Sequence, residues 1–539
     1  MGRAMASRRA EPDNATLAER LDAFAALLDL AGASSYSARA YRRAAELVRS
    51  TPAPVAELVR AGNVRELRGI GPGIERRLVE LVETGRIAEL DELERSVRPE
   101  IVGLGRFLGL SAKRAVEIAE ALGVVSAEEF RAAIREGRLR SVPGVGPKTE
   151  AKLLAALERE EPRPRRGLLL HRARALVEPL AEALDGVVAG DPRRWRETSE
   201  RLAIVTSDNN ALDRFRQLPQ IVAVVDGSVG VTVEGVPLEL VVAPPERFGT
   251  ELVRATGSQA YVAALEPLPA EASEEEVYTA LGVPWCPPEL REEPHRREPP
   301  PLLELADVRG DLHCHTTWSD GKASVLEMAE AARERGYQYL AICDHTPSVG
   351  AVPGISGDEL RRQGEEIAAA NERLAPFRVL RGIECDILRD GSLDLPDGVL
   401  AELDWVQASV HGGQRMPARE LTKRTLEAIQ NPHVRCLSHP KGRILNHRPE
   451  NALDLDAIFE VAVETGVALE VNGLPDRLDL SGEHVRRAIE AGVKIVVSTD
   501  AHSVRGLGNM ELAVRTARRG WATAEDILNT RPLAEILPR

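Results

Sequence analysis

Leu340-Ala-Ile-Cys-Asp344-His345 decides how the C-terminal half of this chain is read. A short apolar run, long enough for a strand, ends directly in an acid and an imidazole. The design recurs downstream. Val379–Ile383 runs into Glu384, Trp405–Ser409 stops just short of His411, and Cys436–Ser438 precedes His439. Ile495–Ser498 leads to Asp500 and His502, and Ala468–Val471 is a further apolar run. Helix-period stretches separate these runs, and strand–helix alternation predicts a parallel α/β sheet or barrel. In such barrels functional groups gather at the C-terminal ends of the strands. Asp311-Leu-His313-Cys-His315 adds two imidazoles two residues apart, and on an extended strand i and i+2 face the same way, so both reach one ion. Asp500 and His502 repeat that spacing, and Asp320 follows in Trp-Ser-Asp-Gly. The candidate catalytic and metal-ligating set is therefore His313, His315, Asp320, His345, Glu384, His411, His439, Asp500 and His502. It takes six of the chain's eleven histidines, too many for chance placement at strand ends. His171, His295, His433, His447 and His484 lack such placement and are read as structural or exposed. Mixed nitrogen and carboxylate donors suit Zn²⁺, Mn²⁺ or Fe²⁺ better than Ca²⁺.

The rest of the composition fits a soluble, multidomain protein. A length of 539 residues predicts two to four domains. There is no apolar run long enough for a membrane span. Arg3, Arg8 and Arg9 open the chain without the apolar stretch of a secretion signal, so residues 1–12 are expected to be a disordered start. The five cysteines form no CxxC pair, which points to a reducing cytoplasm. Cys314, Cys343 and Cys385, each beside a proposed ligand, are read as small buried spacers. The net charge of −14 is unevenly spread: residues 1–170 hold 29 basic and 25 acidic side chains, the remainder 41 and 59. Only the second part is acidic, as a polymetal site requires.

Upstream the texture changes. Residues 13–60 carry helical stripes such as Leu17, Leu21, Phe24, Leu27 and Leu28. Leu67-Arg-Gly-Ile-Gly-Pro-Gly-Ile74 interrupts them, Val142-Pro-Gly-Val-Gly-Pro-Lys148 repeats the pattern, and Val102-Gly-Leu-Gly105 is a weaker copy. Residues 202–245 hold short β-type runs, and 287–301 are rich in proline and charge. The expected division is a helical domain over 13–90, a second over 91–164, an α+β domain over 165–286, a linker over 287–305 and an α/β domain over 306–539.

The C-terminal motifs resemble the PHP (polymerase and histidinol phosphatase) family, on His313-Cys-His315, Asp344-His345, Gly382-Ile-Glu384, Val410-His411, Ser438-His-Pro440 and Asp500-Ala-His502. The resemblance implies a distorted seven-stranded (β/α) barrel with up to three divalent metal ions, and every ligand position is filled. Lys441 stands where relatives in this branch usually have Thr. A metal cluster of this kind serves phosphoester hydrolysis, with Arg443 and Arg477 as candidate forked donors to the substrate phosphate. Gly69-Ile-Gly71 and Gly144-Val-Gly146 resemble helix-hairpin-helix motifs, whose backbone amides meet DNA phosphates without reading sequence; Gly69, Gly71, Gly144, Gly146 and Lys148 are the candidate contacts.

Residues 13–265 as a whole resemble a bacterial family X DNA polymerase, with a nucleotidyltransferase-like α+β middle. Arg39-Ala-Tyr-Arg-Arg-Ala-Ala45 and Phe248-Gly-Thr-Glu-Leu carry that likeness. Gly190-Asp-Pro-Arg193-Arg194 keeps the approach to the polymerase metal site, but Arg201 and Ala203 stand where two Asp are expected and Glu239 replaces a third. An arginine cannot ligate Mg²⁺ and alanine offers no oxygen, so nucleotide transfer is expected to be lost. Arg77 stands where relatives with lyase activity have a Schiff-base lysine. The expected activity is metal-dependent DNA phosphoester hydrolysis, as a 3′→5′ exonuclease or in 3′-end or abasic-site processing during repair. The alternatives are a phosphomonoesterase acting on a small metabolite, a working polymerase, and a non-catalytic DNA-binding scaffold.

Overall fold

The computed structural model describes residues 35–51, 55–90 (except 68 and 85), 112–157 and 167–537 (except 219 and 351), with scattered positions between 14 and 28 and between 101 and 110. The expectations for residues 1–12 and for Gly103 and Gly105 lie outside the described residues. The chain divides into two compact units. One comprises residues 1–167, 200–202 and 208–242, the other 168–199, 203–207 and 243–539. The residues expected as a single α+β domain, 165–286, are thus distributed over both.

In the first unit, helices Ser35–Ser50, Val55–Arg60 and Pro72–Thr84 bury one stripe each. Phe24, Tyr41, Val48, Leu78 and Leu81 share their core, and Phe24 meets Tyr41 edge-on at 4.7 Å. A second helical core forms around Ile118, Phe130, Leu139, Val142, Val145 and Leu153. Both Gly-x-Gly-Pro stretches are turns that start a helix. Gly69 (φ +118°) and Gly144 (φ +77°) take the left-handed backbone that other residues avoid. Proline then opens each helix, at Pro72 and Pro147, where no N–H is needed. The first intrahelical bonds run from Glu75 to the Gly71 carbonyl and from Glu150 to that of Gly146. Strands Ile221–Asp226, Val229–Thr232 and Pro237–Val242 form an antiparallel meander in this unit.

The second unit is built on seven parallel strands in sequential order: β1 (Gly310–Cys314), β2 (Tyr339–Ile342), β3 (Arg378–Asp386), β4 (Trp405–Ser409), β5 (Cys436–Leu437), β6 (Ala468–Asn472) and β7 (Ile495–Ser498). Each strand from β1 to β7 except the solvent-touched start of β3 is buried along nearly its whole length, as parallel strands covered on both faces require. A period of two organises the interior. Leu312, Ala341, Cys343, Leu380, Trp405, Cys436, Ala468 and Val496 fill one apolar cluster with Ile536. Two or four residues further along the same strands stand Glu384, Gln407, Ser438, Glu470 and Ser498. Apolar floor and polar mouth are consecutive layers of the same inward-facing positions. Gly382 lies between them because a Cβ there would stand 2.7 Å from the Ile342 carbonyl oxygen.

The barrel closes between β1 and β7. At the mouth the link is backbone: Asp500 N–H donates to the His313 carbonyl and His315 N–H to that of Ala501. At the floor it is one side chain. Buried Asn529 donates to the carbonyls of Gly310 and Val497 (2.7 Å each) and accepts from the Val497 N–H (3.1 Å).

The segment expected as a linker, 287–305, is packed. Arg291 is fully buried, bonding the Glu274 carboxylate and the Cys286 carbonyl, while buried Glu289 accepts from Arg515 (2.8 Å) and Arg518 (2.9 Å). Proline and charge suggested a solvated strap, but each of these charges has a partner inside the unit, which offsets the cost of burying it. No described helix is long and apolar enough to cross a membrane.

Asn529→Ala strands two carbonyls and an amide at the seam. It is expected to destabilise the barrel by about 2–4 kcal/mol, read as a lower urea midpoint of the barrel transition.

Candidate metal centre

All nine proposed ligands converge at the mouth of the barrel, where β1, β2, β3 and β7 end and the loops after β4 and β5 begin. His313 and His315 face each other through their Nε2 atoms at 3.1 Å, and His315 Nε2 lies 3.0 Å from Asp500 Oδ1. Glu384 is the hub: its carboxylate lies 2.8 Å from His439 Nε2, 2.9 Å from His345 Nδ1, 3.4 Å from His411 Nε2 and 3.5 Å from His313 Nε2. Asp320 reaches His502 Nε2 at 3.2 Å and His345 Nε2 at 3.6 Å. Three groups have donor atoms all within 4.8 Å of one another and could each hold an ion: His315, Asp320, His345 and His502; His313, His315 and Asp500; His345, Glu384 and His411.

The residues fit a polymetal group for reasons internal to the protein. Two ring nitrogens 3.1 Å apart need a proton or a metal ion beside them, since bare lone pairs would repel. The buried Nδ1 atoms of His315 and His439 have no hydrogen-bond partner. Burial and the neighbouring His502 and His345 push His315 down to about 3, so its ring is neutral, as a ligand must be. The backbone is strained toward this arrangement: His439 (φ +27°) and Asp500 (φ +50°) both sit in the left-handed region.

A surrounding shell, absent from the sequence expectation, orients these rings. Fully buried Glu470 accepts from His313 Nδ1 at 2.6 Å and from the His439 N–H at 2.7 Å. Asn472 donates to Asp500 (2.9 Å), and Asp386 accepts from the His411 N–H (3.0 Å). Asp344, beside a proposed ligand, turns instead to Thr316, Ser319 and Gln363. The signal for Glu470 lay in Ala468-Leu-Glu-Val-Asn472, where polar residues occupy alternate positions of an otherwise apolar strand. Cys314, Cys343 and Cys385 are free and fully buried, and burial raises each thiol's pKa, so they are inert spacers.

The two arginines expected to grip phosphate part company. Arg477 stands at the cluster, its Nε 3.8 Å from Asp500 and its buried Nη1 without a partner. Arg443 points away, donating to the carbonyls of Arg477 and Leu478 and to Glu197. Lys441 donates to the Leu453 carbonyl. The arginines of Gly190-Asp-Pro-Arg193-Arg194 are also engaged: Arg193 makes a forked pair with Glu274 (2.6 and 2.7 Å), and Arg194 binds Asp191 and Glu292. Arg201 is ion-paired with Glu239, and Ala203 is buried. Arg77 pairs with Glu89 and lies over the rings of Phe24 and Tyr41. Among the hairpin residues, Gly69, Gly144, Gly146 and Lys148 are exposed and Gly71 is half-buried.

Comparison with known proteins sets this geometry in context. Residues 12–87 match the helix-hairpin-helix domain, 103–159 the SAM-like helix-hairpin-helix tandem, and 311–473 the PHP domain. The chain is 34% identical to a DNA polymerase/3′-5′ exonuclease PolX of Bacillus subtilis (strain 168), over 96% of this chain and 97% of that protein. Its C-terminal part is similar to probable phosphatases: 31% identity with one from Thermoanaerobacter sp. (strain X514), over 41% of this chain and 89% of that protein. One from Photobacterium profundum is 30% identical over 37% of this chain and 81% of that protein.

Metal uptake is expected to release protons. Against burial, the Asp320 hydrogen bond and the Asp500 charge raise His502 to about 9, so the metal-free ring is protonated at neutral pH. Its contribution to the stability of the metal-free fold is complete below about 6.5 and is lost as pH rises through about 9. Calorimetric Mn²⁺ titrations in buffers of different ionisation enthalpy should show net proton release at pH ~7.5 that declines as pH passes about 9.

Proposed function

This chain belongs to the bacterial family X DNA polymerases that carry a PHP domain, and from that premise we propose that it is a metal-dependent DNA phosphoesterase whose single catalytic centre is the PHP barrel. It hydrolyses DNA 3′ ends as a 3′→5′ exonuclease or processes 3′-blocked and abasic ends in repair, and it does not extend a primer. The carrying observation is the convergence of nine nitrogen and carboxylate donors, six of them buried, beside an arginine with an unpartnered guanidinium nitrogen.

His313, His315, Asp320, His345, Glu384, His411, His439, Asp500 and His502 would hold the ions, which number up to three and are Zn, Mn or Fe. Bound there, divalent ions supply a nucleophile at neutral pH and neutralise phosphate charge. The chain's own residues do the rest. Glu470 fixes the His313 ring and orients its other nitrogen to the centre. Arg477 offers Nη1 to a phosphoryl oxygen, and burial strengthens that bond because water competes poorly. The exposed hairpins hold the duplex by its backbone, so recognition is independent of sequence.

The Arg201–Glu239 ion pair and the alanine at 203 support loss of nucleotide transfer, since a guanidinium and a methyl group take the place of metal-binding acids. The stacked and paired Arg77 supports loss of lyase chemistry through that position. The similarity of the barrel alone to probable phosphatases favours a second reading, hydrolysis of a small phosphomonoester.

Incubation with Mn²⁺ and labelled single-stranded, gapped and abasic DNA, with and without nucleotides, separates these readings. Shortening is expected, lost by at least about 100-fold in His313→Ala and Asp500→Ala and abolished by chelator. Template-directed lengthening would overturn the proposed loss of nucleotide transfer, and release of phosphate from small monoesters alone would favour the second reading. Lys148→Ala is expected to weaken duplex binding equally across sequences and to lower the salt slope of log K by about 1.

A further inference from the structure

Arg477 sits on the loop Leu474–Leu480 after β6, and three contacts on that loop come from elsewhere in the unit. Arg443 donates through Nε to the Arg477 carbonyl at 2.9 Å and through Nη2 to the Leu478 carbonyl. The same guanidinium is held by Glu197 at 3.3 Å and by Glu450 at 3.5 Å. Leu478, next to Arg477, is fully buried in an apolar cluster with Leu170 and Trp195. Its backbone lies in the left-handed region at φ +47°, where a leucine persists only if its surroundings hold it.

Glu197, Trp195 and Leu170 all belong to Leu168–Ser199, the piece that carries the polymerase-like Gly190-Asp-Pro-Arg193-Arg194 stretch. Arg519 also binds Glu197 at 3.2 Å, and the two arginines lower its pKa to about 2 despite burial, so the strut is charged at any working pH. Trp195 is itself seated between the guanidinium groups of Arg174 (3.8 Å) and Arg515 (4.9 Å).

We propose that Leu168–Ser199 is a working part of the phosphoesterase centre: through Glu197–Arg443 and through the Trp195–Leu478 seat it positions Arg477 to receive the substrate phosphate. Glu197 and Arg443 are positioning residues, acting through Arg477. The proposal rests on Arg477 being the phosphate-binding group of the centre proposed above.

The test uses the full-length, Mn²⁺-loaded protein with 3′-labelled single-stranded DNA. Arg477→Ala is expected to raise KM about 100-fold. Glu197→Gln, close to isosteric, is expected to raise KM about 10-fold with kcat changed less than twofold and metal content unaltered. The double variant is expected to match Arg477→Ala alone, because a strut acting through an absent guanidinium has nothing left to lose. A Glu197→Gln enzyme with wild-type KM, a loss confined to kcat, or losses that multiply in the double variant would overturn the proposal. Calorimetric affinity for inorganic phosphate in the same four proteins gives a readout without turnover and should follow the same pattern. A wild type that binds phosphate in this pattern but leaves DNA intact would sink the DNA reading and leave the positioning role standing.

Discussion

The nine proposed ligands and Glu470 share the mouth of one barrel, where burial opposes isolated charge. The arrangement that satisfies this is an alternation of acid and imidazole in space. Glu384 lies among four histidines and Asp500 against His315, and both carboxyls are held well below the usual carboxylate range in spite of burial. Glu470 does the converse for His313, which is raised well above the usual imidazole range. Much else in the second unit serves this balance. The strands end at matching heights, backbone bonds at the seam bring His313 and Asp500 together, and two ligands accept left-handed backbone.

The polymerase-like part shows how this chain engages the arginines of its motif. The approach arginines, Arg193 and Arg194, are internal ion-pair partners, and Arg201 closes on Glu239. None of these guanidinium groups is left waiting for a triphosphate. Contacts within the chain engage all three arginines and hold the segment in shape.

The proposed ligands were legible because six histidines stand at strand ends, and strand geometry converts the i, i+2 spacing of His313/His315 and Asp500/His502 into a shared direction. Six of the seven strands were legible as apolar runs that end in a polar group, and the number seven came from the PHP resemblance. Glu470 was missed because a lone acid inside an apolar strand carries no motif; its meaning depends on His313, 157 residues away. The packing of 287–305 was hidden because Arg291 and Glu289 look like solvated charge until their partners, Glu274, Arg515 and Arg518, are known. Arg443 was read as a forked phosphate donor, yet its guanidinium is engaged by Glu197, 246 residues upstream. What depended on one strand was visible, and what depended on distant pairing was not.

The seam between β1 and β7 has a consequence for the order of events in the cell. Its floor is closed by Asn529, so the first strand of the barrel must wait for the synthesis of most of the remaining chain. Until residues 499–502 are made, His313 and His315 lack the Asp500 and His502 they meet at the mouth, and the floor stays open until Asn529 follows. A chain still being made therefore carries only an incomplete donor set, and the centre is assembled late in translation.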